Sequence, residues 1–136
     1  MAQQDFLTNP ITVVSAAITD ADTNTTVQAL DIPAGAFVPP YGVSVQVVTA
    51  FSGGTPALDV GDGDNDDGWV DKDDITEGTP GTYSGTNSNG ATYANAGRYY
   101  SSADTLDVAV SASLSAGCAY VIMTYYDLSD MDLSAV

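Results

Sequence analysis

The chain has 136 residues, enough for one domain of ordinary size, and its 18 acidic side chains face only two basic ones, for a net charge of −16. That balance excludes nucleic acid as a partner, because such affinity comes from Lys and Arg neutralising phosphates, and it equally excludes an anionic membrane surface. Glu77, Lys72 and Arg98 stand alone in their types, whereas Val, Ile, Tyr, Thr and Ser abound, so the composition points away from exposed helix faces and towards β-structure.

Residues 1–10 are polar and end in the turn signal Asn9-Pro10, and they are expected to form an N-terminal arm. Met1 to Asp5 has no basic segment and no apolar stretch follows it, so folding in the cytoplasm is expected. No run approaches about 18 apolar residues, and no membrane span is expected. Ile11 to Ile18 reads as a strand, Asp20 to Asn24 as a turn, and Thr25 to Ile32 as an alternating strand. Pro33, Pro39 and Pro40 remove donors and fix φ, so residues 33–40 are expected to be neither helix nor central strand.

Tyr41 to Phe51 is the clearest strand, with Val43, Val45 and Val47 on one phase and Ser44 and Gln46 on the other. Ser52 to Thr55 reads as a hairpin connection, and Pro56 to Val60 as a short strand. Residues 61–96 are rich in Gly, Asp, Asn, Ser and Thr, a long loop region with room for one or two short strands. Loops of this length are commonly functional. Gly97 to Ser101 is a short strand. Thr105 to Ala112 alternates, with Leu106, Val108 and Val110 inward. Leu114 to Gly117 turns the chain. Gly117 to Asp127 is apolar on both phases, so it is expected in mid-sheet and covered on both faces. Residues 128–136 read as a C-terminal tail. The pattern predicts one all-β domain over residues 11–127: a β-sandwich, with a jelly roll as its expected form, of seven to nine short antiparallel strands and one long acidic loop. An immunoglobulin-like sandwich is the near alternative, without the Cys pair.

Eight of the 17 Asp residues lie between Asp59 and Asp74. Hard cations want six to eight oxygen ligands, and Asp62, Asp64 and Asp66 follow the first half of an EF-hand loop. Asp67 stands where the turn Gly belongs, and Asp73 where the bidentate Glu belongs, so this is no EF-hand. Three readings stay open: a Ca²⁺ site in a β-domain built from Asp62, Asp64, Asp66 and Asp73; a solvated loop whose Asp and Gly residues make turns; and a loop ordered by a basic partner. Trp69, Tyr83, Tyr93, Tyr99 and Tyr100 form either a sugar-stacking platform or anchors that pack the loop onto the sheet. Arg98, beside Tyr99 and Tyr100, is expected to pair with an Asp and fix the loop there. Trp69, Arg98, Tyr99 and Tyr100 are thus the candidate ligand or interface residues. Cys118 stands alone, which excludes an internal disulfide, and it is expected as a buried structural thiol. With no His, neither a Ser-His-Asp nor a Cys-His arrangement is available, zinc is excluded, and no enzymatic activity is expected. No cofactor other than Ca²⁺ is suggested.

The stretches Ile32 to Phe37, Val43 to Phe51, Thr55 to Asp62, Asp67 to Trp69, Gly97 to Tyr100 and Ala103 to Asp107 carry a family resemblance. Across residues 30–126 the chain resembles small virion proteins of tailed bacteriophages, among them head decoration (cement) proteins of β-sandwich or jelly-roll fold. The resemblance implies a non-enzymatic structural protein that stabilises the head lattice. It also implies docking on the major capsid protein as a homotrimer, at the capsid surface of a virion assembled in the host cytoplasm. It transfers no catalytic or ligand residue. High net charge suits a protein that must stay soluble before docking. The alternative is a carbohydrate- or receptor-binding module on a virion or cell surface, with the long loop as its site.

Overall fold

A computed structural model describes residues 9–130; the greater part of the expected arm, residues 1–8, and of the expected tail, residues 131–136, lies outside the described residues. Ten strands run in chain order: β1 (Ile11–Val14), β2 (Ile18–Thr19), β3 (Thr26–Ile32), β4 (Ala36–Val38), β5 (Val43–Ser52), β6 (Leu58–Gly61), β7 (Gly81–Ser84), β8 (Arg98–Tyr100), β9 (Asp104–Val110) and β10 (Ala116–Asp127). Helical structure among the described residues is limited to three short 3₁₀ turns, at Asp20–Asp22, Lys72–Asp74 and Asn87–Asn89.

The strands form two antiparallel sheets that share one core, a β-sandwich. The larger has seven strands centred on β10, which pairs with β5, β1, β2 and β4, while β7 and β8 extend it from β5 and β4. The smaller has the order β3-β9-β6. Period-two alternation puts Val43, Val45 and Val47 of β5 into the core beside Ala119, Val121 and Met123 of β10. Leu106, Val108 and Val110 of β9 meet them from the smaller sheet, with Leu58 and Val60 of β6. Each aliphatic side chain so buried contributes about 1.5–3 kcal/mol.

Five local expectations are corrected. The strand predicted over Ile11 to Ile18 is broken: β1 stops at Val14 and β2 starts at Ile18. Ser15 fills the gap, its hydroxyl accepting from the Val121 amide at 2.9 Å in place of a ladder carbonyl. Residues 33–40 do hold a strand, because the prolines flank Ala36–Val38 instead of interrupting it, and β4 pairs with both β10 and β8. Ser52 to Thr55 is no hairpin turn. It carries the chain from one sheet to the other, with Gly53 and Gly54 both at positive φ. On β10 the inward phase is buried, but Tyr120, Ile122 and Thr124 on the other phase are half-buried, so the strand is covered fully on one face only. Cys118 is likewise half-buried.

Candidate functional site

The long segment between β6 and β8 joins the larger sheet through β7, which pairs with β5, and through one polar cluster. β8 pairs with β4, and its alternation turns Arg98 and Tyr100 inward and Tyr99 outward. β6 ends at Gly61, and the next residue, Asp62, is buried with its side chain fully covered. One Asp62 oxygen, Oδ1, accepts from the amides of Asp64 and Asn65 at 3.0 Å each, which shapes the loop's first turn. The other, Oδ2, accepts from the Tyr100 hydroxyl at 2.7 Å and lies 3.4 Å from Arg98 Nε. Tyr100 in turn accepts from Trp69 Nε1 at 3.0 Å. Burial and the hydrogen bond to Asp62 push the Tyr100 phenol well above its ordinary range, so it holds its proton as a donor.

Arg98 is held from several sides. Its Nη2 pairs with the Asp64 carboxylate, and its Nη1 donates to the Tyr93 hydroxyl at 2.6 Å. The guanidinium lies 4.5 Å from the Tyr93 ring centre and 5.1 Å from that of Tyr100, both within cation–π range. Tyr93 meets Trp69 edge-on at 5.5 Å. The loop packs closely here: a Cβ on Gly68 would sit 2.3 Å from the Tyr93 ring, and one on Gly85 only 2.0 Å from the backbone carbonyl oxygen of Trp69. Glycine is therefore required at both positions.

The rest of the acid loop is stitched by its own carboxylates. Asp71 accepts from the Asp73 amide at 2.8 Å, and Asp59 from the Lys72 amide at 2.7 Å. Asp74 accepts from the Thr86 amide and hydroxyl, from Asn89 and from the Asp71 amide. Burial works against ionisation of Asp74, but these bonds hold its carboxyl below the ordinary value of 3.8. Asp59 and Asp67 are raised, each first by burial; acidic neighbours add to it, and at Asp67 so does a hydrogen bond with Asp71. Glu77 is raised by burial as well, and its side chain accepts from the Leu58 amide at 3.0 Å where the chain enters β6.

The predicted site residues thus divide. Asp62, Asp64, Trp69, Arg98 and Tyr100 come together. Tyr99 stands on the opposite face of the sheet, 44% exposed. Asp66 and Asp73 are exposed on the loop. Among the described residues no group of three or more carboxylate, thiol or imidazole side chains is placed to hold a metal ion, so Asp62, Asp64, Asp66 and Asp73 offer a cation no shared cage. Trp69 is 1% exposed and lies in the core, where its ring faces no solvent. What the cluster can do is clamp the loop to the sheet. Tyr93 completes it. Glu77 and Ser15 escape sequence reasoning altogether, although the uniqueness of the one Glu was a signal that could have marked Glu77.

No protein-family model matches the chain, and no curated protein matches it. Two solved structures share its fold. A chain of the cyanophage Pam1 capsid asymmetric unit superposes with a TM-score of 0.64 at 15% identity, over 93% of this chain and 90% of that one. A chain of the acidic stable capsid structure of Helicobacter pylori bacteriophage KHP30 gives a TM-score of 0.60 at 15% identity, over 88% and 93%.

Proposed function

We propose that the chain is a structural protein of a phage virion, specifically a capsid decoration protein of the cement type. In this reading it docks as a homotrimer on the major capsid protein at the particle surface and stabilises the head lattice without chemistry. One observation carries the proposal: the fold is similar over most of both lengths to chains of two phage capsid structures. The polar cluster supports it. Trp69 donates to Tyr100 and Tyr100 to Asp62, and the Arg98 guanidinium is taken up by Asp64, Tyr93 and the charge of Asp62, which suits a clamp more than a catalytic group.

Co-sedimentation with undecorated shells of a phage major capsid protein tests the proposal. Saturable binding with an integral number of copies per lattice unit, and a raised temperature of shell disruption, is the expected result. Shells that pellet without the protein at saturating concentration would overturn it.

A further inference from the structure

The seven-stranded sheet has an outer face, turned away from the core, and the register fixes what stands on it. Met123 is buried, so its neighbour Ile122 points outward, and antiparallel pairing places Val14, Ile122, Ser44 and Ser84 in one row across β1, β10, β5 and β7. Val38 and Ala36 are buried, so Phe37 points outward, and a second row runs Tyr126, Phe37, Tyr99 across β10, β4 and β8. Val48 stands on the same phase of β5 as Ser44 and Gln46. Val14, Val48 and Tyr99 are thus three of the four large hydrophobic residues most exposed on the described chain.

Among the described residues, no charged side chain of the seven strands stands on this face. The seven strands contain only two charged residues. Arg98 turns inward to Asp62, and Asp127 lies opposite Ala36 on the inward phase. The other sheet is the reverse. Asp59 and Asp107 project from its outer side, Asp31 is exposed beside them, and the acid loop abuts it where Lys72 bonds Asp59. The chain has a net charge of −16, yet among the described residues the strands of one sheet put none of it on their outer face.

That asymmetry selects the occupant. Two copies repel each other wherever their acid faces approach. Charges more than about 8 Å apart are largely screened at physiological salt, and the two sheets of a sandwich alone lie about 10 Å apart. A contact through the uncharged face keeps the acid faces on the outside and buries no charge. β10 has 12 residues. At about 3.3 Å per residue and about 4.8 Å between strands, the residues of all seven strands together offer about 600 Å² per partner, about 1,200 Å² in all, the lower end of specific interfaces. We infer that copies of this chain associate with one another through the uncharged outer face of the seven-stranded sheet, acid faces outward. Two copies or the three proposed above can meet in this way, and the contact stands whether or not the chain is a virion protein.

Sedimentation velocity over the micromolar range, at low and high salt, tests it. The wild type is expected to self-associate, with an affinity unchanged or strengthened by salt. Val14→Asp and Ile122→Asp, each placing like charges at the contact, are expected to weaken association by about a hundredfold. Asp31→Asn, on the other sheet, is expected to leave it unchanged. Val14 is 56% exposed, so its substitution leaves the core intact, and circular dichroism with thermal melting checks this. A wild type that stays monomeric throughout would overturn the inference, as would association that survives both Asp substitutions. A monomer that binds capsid shells and loses them on Val14→Asp would also overturn it, assigning the face to the shell protein. Self-association through this face, in a chain that leaves shells bare, upholds the inference and sinks the virion reading alone.

Discussion

Asp62 concentrates more interactions than any other residue of the loop. It is buried, accepts from Tyr100 and from two amides, and stands beside Arg98. Removing one partner of a buried charged network costs more than the network's net contribution, because the remaining groups stay desolvated. Asp62→Ala is expected to lower stability by about 3–5 kcal/mol, measured by urea denaturation. Asp62→Asn keeps an acceptor and is expected to cost only about 1–3 kcal/mol. Equal losses in the two variants would show that the retained acceptor restores nothing and that the charge carries the whole effect, whereas no loss in Asp62→Asn would show that the charge contributes nothing. The pairing of Arg98 with an Asp was legible because Arg98 is the only arginine. Which Asp was not legible, since eight lie between residues 59 and 74. The choice is made in space, by the turn that buries Asp62 next to β8.

At the scale of elements, alternation carried most of the reading. The periods of Val43 to Val47 and Leu106 to Val110 placed β5 and β9 and named their inward residues. Turn chemistry carried less. Gly53 and Gly54 permit a hairpin but do not dictate one, and the core decided that the chain should cross to the other sheet. The prolines of residues 33–40 marked the limits of β4 without forbidding it. The apolar outward phase of β10 suggested burial within the chain, whereas the fold leaves it half-covered. The acid loop was legible as one unit but not as one stitched by its own carboxylates. Asp74 is the main stitch, and Asp74→Ala is expected to speed hydrogen exchange at the Thr86 and Asp71 amides and to cost about 1–2 kcal/mol, as loss of a capping residue does. Unchanged exchange at both amides would mean that the loop is held by other contacts.

Over the whole molecule, charge is distributed by side. One sheet face is neutral and the other, with its loop, is acidic. The carboxyls of Asp59, Asp67 and Glu77 are raised, so the folded chain binds protons that the unfolded chain releases. Stability must then rise as pH falls from neutral towards the ordinary values of 3.8 for Asp and 4.5 for Glu. Asp74 and Asp127 are lowered, and the stability they contribute is lost as pH falls below 3.8. Thermal melting is expected to give a higher Tm at about pH 5 than at about pH 8, with a decline below about pH 3.5. Glu77→Gln, which keeps the acceptor for Leu58, is expected to flatten part of the rise. A Tm that climbs steadily from pH 5 to pH 8 would contradict this assignment.

In the proposed role the chain is an outer component of a capsid. Cryo-electron microscopy of major-capsid shells incubated with the protein tests that claim most directly. The predicted result is ordered sandwich density at repeated lattice positions, with the Asp59 to Asp74 loop facing solvent and the neutral sheet face covered. Shells with bare lattice positions at saturating protein concentration would contradict it.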